Sequence, residues 1–199
     1  VKTSPSDDIG AIGRSMTAAE FTGRLDQALR RRGFGSFEYL WLGLGAGGGA
    51  RTCSLAGPDA PPRRDRPWLD PFVLHCRAAY SPVVWQWLSP DRAVRQQLVW
   101  SPWKGLPIRV QSGVAIPVHG PDGGFGLLSA AVATETKGII APEHVHCIHA
   151  AAFAAYDVML ANHANPAFGL VYTALDGRDA AVFLYQDIEK ARVLTGVTH

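Results

Sequence analysis

The sequence predicts an α+β domain, a three-layer α-β-α sandwich with a central antiparallel sheet of about five strands. Three observations carry this. The predicted elements run helix, strands, helices, hairpin, long helix, which supplies an antiparallel sheet and helices for both of its faces. The stretch Phe37–Leu44, FEYLWLGL, is apolar on both faces apart from Glu38, as in a strand covered on each side. Two further strand-like runs, Val110–Val118 and Gly124–Ala133, flank Pro121-Asp122-Gly123-Gly124, whose residue types favour a tight turn.

Residues 1–14 are expected to be a flexible tail. Thr17 can cap a helix over AAEFTGRLDQALRRR, with Glu20 three residues on completing a capping box. Phe21, Leu25 and Leu29 recur every fourth residue and give that helix one apolar face. Gly33 suits the left-handed cap that ends it. After the strand at Phe37–Leu44, the segments Gly45–Gly49 and Gly57–Pro67 read as loops, with a short strand at Arg51–Leu55 between them. Asp70 and Pro71 read as an N-cap and first helical residue, and the helix runs roughly to Tyr80, where Ser81-Pro82 breaks it. Ser89-Pro90-Asp91 opens another helix toward Val99. Beyond the hairpin, Pro142 starts a long Ala-rich helix to about His163. Phe168–Thr173 and Ala180–Tyr185 read as two more strands around Asp176-Gly177, with a short polar helix near the end.

At 199 residues, 47% of them apolar and six of them Trp, the chain can bury a real core. A net charge of +2, with cations dispersed, argues against nucleic-acid binding by the chain as a whole. Arg30–Arg32 ends a predicted helix, where cations meet the negative end of the dipole, and Arg63–Arg66 lies in the loop-forming APPRRDRP. The cysteines Cys53, Cys76 and Cys147 are odd in number and lack a short metal spacing, which fits a reducing compartment. No run resembles a signal peptide or the ~20 apolar residues of a membrane span. The expected setting is cytoplasmic, away from membranes.

Candidate chemistry concentrates in Leu69–Trp85, LDPFVLHCRAAYSPVVW, and Ser112–Ser129, SGVAIPVHGPDGGFGLLS. There Asp70, Trp85 and Ser129 are the specific polar groups in an apolar, Gly-rich setting, the way a small-molecule pocket is built. Singly, each has a plainer reading: a helix cap, a core indole, a hydroxyl pairing across strands. Other constellations give no active site. In Glu143-His144-Val145-His146-Cys147-Ile148-His149, a helix puts 144 and 147 on one face and 146 and 149 on another, so four ligands do not converge. His75 and Cys76 diverge as helical neighbours, and Gly123-Gly124-Phe125-Gly126 leads into a strand, not the helix a phosphate loop needs. The chain reads as a non-enzyme without metal or cofactor.

Asp70-Pro71, Cys76, Pro82, Trp85, Ser112-Gly113, Pro117, His119-Gly120, Gly124-Phe125-Gly126 and Leu128-Ser129 follow in an order and spacing that resembles the autoinducer-binding domain of LuxR-type quorum-sensing regulators. The resemblance spans about residues 15–163, leaving 1–14 as a tail and 164–199 as a C-terminal extension. It implies a sensor fold of PAS- or GAF-like kind that encloses an N-acyl-homoserine lactone between the sheet and one helical layer. It further implies that Asp70 accepts from the ligand amide, Trp85 packs on the lactone ring, and Ser129 donates toward the acyl carbonyl. Val73 and Cys76 would line the wall, and the Pro142–His163 helix would be the dimerisation surface.

Two departures from the family pattern stand out. The family places a Tyr, a Trp and a second Tyr seventeen, thirteen and nine residues before the aspartate, where ungapped counting here gives Cys53, Gly57 and Pro61. In the family that Trp donates to the lactone carbonyl and the first Tyr holds the amide carbonyl. Losing two neutral hydrogen bonds, each worth about 1 kcal/mol, weakens binding by tens of fold. Trp68 and Tyr39 are the aromatic residues available to stand in. The second departure lies after His163, where the alternating VYTAL and AVFLY, with only Arg178, Lys190 and Arg192 as cations, do not resemble the family's helix-turn-helix. The expectation is a ligand-sensing domain that lacks a DNA-binding domain, does not bind DNA alone, and works as a homodimer or a heterodimer. The alternative is a ligand-independent antiactivator that forms inactive heterodimers with a full-length LuxR-type regulator. A related sensor for another apolar ligand is a third reading.

Overall fold

The structure is a computed structural model, which describes residues 4–44, 49–60, 67–86, 112–120, 123–132, 140 and 142–176. Its strands are β1 (Phe34–Leu44), β2 (Ala50–Ala56), β3 (Val83–Gln86), β4 (Ser112–His119), β5 (Phe125–Val132) and β6 (Thr173–Ala174). Its helices are α1 (Pro5–Gly13), α2 (Ala18–Arg30), α3 (Pro71–Ala78) and α4 (Pro142–Asn162). The strands make one six-stranded sheet in the order β3-β4-β5-β1-β2-β6, with every pairing antiparallel. The α+β class predicted from sequence is the one observed, with the short β6 as an additional edge.

β1 is an inner strand, flanked by β5 and β2. Strand alternation sends Phe37, Tyr39 and Trp41 to one face and Glu38, Leu40 and Leu42 to the other. On the first face, Tyr39 and Trp41 pack with Phe21 and Leu25 of α2, Ile12 of α1, and Ile148, Ala152, Ala155 and Met159 of α4. On the second face, Leu40 and Leu42 join Phe125 and Leu127 beneath Trp68, Phe72, Val73 and Cys76. Those last four come from a 3-10 turn at Pro67–Leu69 and from α3. Two separate apolar clusters thus sandwich the sheet.

The flexible tail expected over 1–14 is instead helical from Pro5 to Gly13. Ser4 Oγ accepts from the Asp7 N–H (3.3 Å), and the Asp7 carboxylate accepts from the Ser4 N–H (3.0 Å), a reciprocal capping box. Ile12 is fully buried, and the Asp8 carboxylate accepts from both Arg31 and Arg32, the latter at 2.7 Å. The basic run at the end of α2 therefore holds α1 in place through ion pairs, in addition to meeting the helix dipole. α2 keeps its expected ends, with Thr17 Oγ1 accepting from the Glu20 N–H (3.2 Å) and Gly33 in the left-handed region at φ +83°. The expected capping box is not closed, because the Glu20 carboxylate accepts from the Met16 N–H (2.9 Å) and not from Thr17.

After α4 the chain departs from the strand expected at Phe168–Thr173. Pro166–Phe168 forms a 3-10 turn capped by Asn165, and Gly169 closes it at φ +79°. Pro166 cannot donate to a ladder, and Phe168 is buried in the first cluster, so only Thr173 and Ala174 reach β2. The elements expected at Ser89–Val99 and Ala180–Tyr185, the polar helix near the C-terminus, the Arg63–Arg66 loop, and the ends of the hairpin strands at 110–111 and 133 lie outside the described residues. Pro121 and Asp122 of the hairpin turn do too, although its closing bond, Gly120 N–H to the Gly124 carbonyl at 2.8 Å, is described. Among the described residues no helix is long and apolar enough to cross a membrane.

Candidate functional site

Asp70 stands in an extended conformation just before α3, and its Oδ1 accepts from the Phe72 N–H at 2.9 Å. Pro71 fits the first helical position because no N–H is needed there. The carboxylate is 7% exposed, so the cap is buried on the side of the second cluster. The far end of α3 is fixed by the sheet. His119 Nε2, at the end of β4, donates to the Ala79 carbonyl at 2.9 Å. The His119 ring lies between Tyr80 and Phe125, at centroid distances of 5.0 and 5.4 Å.

Strand register places the remaining candidates beneath this helix. One row across the sheet reads Val83, Ala115, Ser129, Glu38, Ala56, and its neighbour reads Pro117, Leu127, Leu40, Ser54. Trp85 pairs with Gly113 and lies over it, since a β-carbon at Gly113 would sit 2.1 Å from the indole and 2.4 Å from the Ala130 carbonyl oxygen. Only glycine lets the ring lie that close to β4. Ser129 is 5% exposed, and its hydroxyl makes no hydrogen bond among the described residues. Val73 and Cys76 join Trp85 in the second cluster, Cys76 fully buried. All five sequence-derived candidates, Asp70, Val73, Cys76, Trp85 and Ser129, therefore lie on one side of the sheet.

The positions reached by ungapped counting do not share that side. Cys53 pairs with Trp41 and points into the first cluster, and Gly57 ends β2 by donating to the Phe37 carbonyl at 3.0 Å. Pro61 lies outside the described residues. Tyr39 is no stand-in, because it is fully buried on the opposite face against Phe21, with ring centroids 6.0 Å apart. Trp68 is on the Asp70 side and belongs to its apolar cluster. Glu38 is the residue the sequence reading noted without giving it a role. It is the one carboxylate that the described strands place on this face, and its Oε1 accepts from Ser54 Oγ at 2.9 Å. Its signal was the single polar break in FEYLWLGL.

The histidines of α4 spread around the helix as the spacing predicts, with His146 exposed and Ile148 buried between His144 and His149. Among the described residues no group of His, Cys, Asp and Glu is placed to hold a metal ion.

Burial pushes the Cys76 thiol up to about 12 and the Tyr39 phenol well above its usual range. Both groups are neutral in the native state, whereas in the unfolded chain a thiol ionises near pH 8.5 and a phenol near 10. The folded state therefore binds more protons in alkali, and stability falls as pH rises. Urea unfolding from pH 8 to 11 is expected to lose about 1.4 kcal/mol per pH unit from near pH 9, more steeply above 10 as Tyr39 adds its share. Cys76→Ala should remove the earlier component. A stability flat through pH 11 would contradict this burial.

Residues 67–159 match the autoinducer binding domain family. In fold the chain is similar to the N-acylhomoserine lactone dependent LuxR family transcription factor CepR2 from Burkholderia cenocepacia, with a TM-score of 0.52 and 15% identity over 81% of this chain and 95% of that one. It is also similar to SdiA in complex with octanoyl-rac-glycerol, with a TM-score of 0.57 and 8% identity over 100% of this chain and 85% of that one. For Escherichia coli SdiA in another crystal the TM-score is 0.57 and the identity 10%, over 98% and 83% of the two chains. At these identities the likeness is one of fold. No curated protein sequence matches the chain.

Proposed function

We propose that this chain, which resembles the autoinducer-binding domain of LuxR-type quorum-sensing regulators, binds an N-acyl-homoserine lactone or a related apolar signal between its sheet and α3. The observation that carries the reading is the placement of Asp70, Trp85 and Ser129, each at most 7% exposed, on one side of the sheet beside the apolar cluster under α3. The Ser129 hydroxyl, which no hydrogen bond engages among the described residues, donates to a ligand carbonyl. Asp70 accepts from the ligand amide with lone pairs that the cap leaves over. Trp85 packs on the head-group ring, and Val73 and Cys76 form the apolar wall. Trp68 adds apolar surface on the side where the family's upstream aromatics stand.

The ligand-binding domain covers residues 15–163, with α1, just before it, packed against α2 and α4, and with 164–199 as an extension. Binding is its task, without catalysis or a cofactor, in a cytoplasmic setting where Cys53, Cys76 and Cys147 stay free thiols. A dimer forms through the outward stripe of α4, Glu143, His146, Phe153 and Asp157, where Phe153 is 47% exposed and meets His149 edge-on at 5.0 Å. That exposed ring also favours the second reading, an antiactivator that pairs through α4 with a full-length LuxR-type regulator.

Native mass spectrometry of the purified chain, followed by organic extraction, separates the two. The expected result is a retained acyl-homoserine lactone or a related acyl molecule, one per protomer. A stable, ligand-free dimer that ignores a panel of lactones would overturn the sensor reading and leave the antiactivator.

A further inference from the structure

We propose that Glu38 and Ser129 together select a signal whose acyl chain carries a hydroxyl group close to its carbonyl. The inference rests on the ligand-binding reading above and names the class of ligand for that site. Glu38 and Ser129 are direct cross-strand partners on the inner strands β1 and β5, which puts their β-carbons about 5 Å apart on one face. Glu38 is half-buried and accepts from Ser54 Oγ at 2.9 Å. No cation pairs with it among the described residues, and Ser54 is its only hydrogen-bond donor there. The Ser129 hydroxyl makes no hydrogen bond among them.

The surroundings sharpen the selection. Ala115 and Ala56 flank the pair in its row, so only small side chains stand beside the two polar groups. Leu40, Leu42 and Leu127 make the neighbouring floor apolar. The Glu38 carboxylate has no counter-charge among the described residues, so it retains acceptor capacity for a donor on the ligand. Glu38 accepts, so a ligand hydroxyl suits it and a bare keto oxygen opposes it. With Ser129 on the acyl carbonyl, the longer Glu38 side chain, whose β-carbon is about 5 Å away, reaches back over the first carbons of the chain, the 3-position among them. Bonds with a charged acceptor are roughly twice as strong as neutral ones, which makes the preference measurable.

The test is calorimetric titration of the full chain with 3-hydroxy, 3-oxo and unsubstituted N-acyl-homoserine lactones of matched length, using the wild type, Glu38→Gln and Glu38→Ala. The wild type is expected to bind the 3-hydroxy compound on the order of tenfold more tightly than either of the others. Glu38→Ala should level the three, and Glu38→Gln, whose amide also donates, should move preference toward the 3-oxo compound. Circular dichroism and melting of both variants report folding, and the near-isosteric Gln variant keeps the test decisive if the Ala variant is unstable. Equal wild-type affinities for the three, or a 3-hydroxy preference that survives in Glu38→Ala, would overturn this proposal while leaving the sensor reading intact. A wild type that binds none of the three would overturn both.

Discussion

Asp70→Asn is expected to lose ligand while keeping the fold, and Asp70→Ala to lose both ligand and stability. The carboxylate caps α3 through the Phe72 N–H, and under the proposed function it also offers lone pairs to a ligand amide. Asn caps helices about as well as Asp, so the Asn variant should melt within about 0.5 kcal/mol of the wild type. Ala removes the cap and costs about 1 kcal/mol, with an added cost because the Phe72 N–H is buried and left without its acceptor. For ligand, an ionised acceptor is replaced by a neutral amide or by nothing. Hydrogen bonds to charged groups contribute about 1.5–3 kcal/mol, so affinity should fall ten- to a hundredfold in both variants. Melting curves and titration with one lactone measure the two effects separately. An Asn variant that binds as the wild type does would remove Asp70 from the ligand contacts and leave it a cap alone.

Gly113→Ala should be the most destabilising single-methyl substitution in the sheet. The added carbon would sit 2.1 Å from the Trp85 ring and 2.4 Å from the Ala130 carbonyl oxygen, and the second contact is with backbone that cannot turn aside. Overpacking of this kind costs about 3 kcal/mol, which for a domain of this size lowers Tm by roughly 6–12 °C. The double variant Gly113→Ala with Trp85→Ala relieves the ring but not the carbonyl, so it should not recover what Gly113→Ala loses. A Gly113→Ala protein that melts within about 2 °C of the wild type would show that Trp85 does not lie flat over β4, and would take it out of the site.

Much of the frame was legible because local signals agreed with one another. Thr17 with Glu20, Asp70 with Pro71, and Gly33 each mark a helix end by a hydrogen-bonding or backbone requirement that needs no tertiary partner. FEYLWLGL announced an inner strand because nothing but Glu38 on it wants water. What stayed hidden depended on distant partners. α1 has little periodicity of its own and is held by Asp8 reaching Arg31 and Arg32 from another helix. The edge strand β3 is four residues long, too short for an alternation to declare itself. The strand expected at Phe168–Thr173 failed because its apolar pattern served one buried ring, Phe168, in a turn. At the site, motif spacing brought Asp70, Trp85 and Ser129 to one side of the sheet. Counting residues across a loop did not work for Cys53, because one residue of strand register decides which face a side chain reaches.

The helix α3 has eight residues, fewer than a helix needs to persist alone in water. Its existence is borrowed from the Asp70 cap at one end, the His119 contact at the other and the apolar cluster beneath. The opposite layer has no such dependence, since α4 runs for twenty-one residues and lies over β4 and β5. The molecule therefore has two lifetimes. One belongs to the sheet and its long-helix layer and ends only with global unfolding. The other is expected to be shorter and belongs to α3, whose few supports of its own favour local opening before the sheet opens. Under the proposed function, a ligand held between α3 and the sheet would wait on the second clock, and its residence time would report how firmly one eight-residue helix is held down.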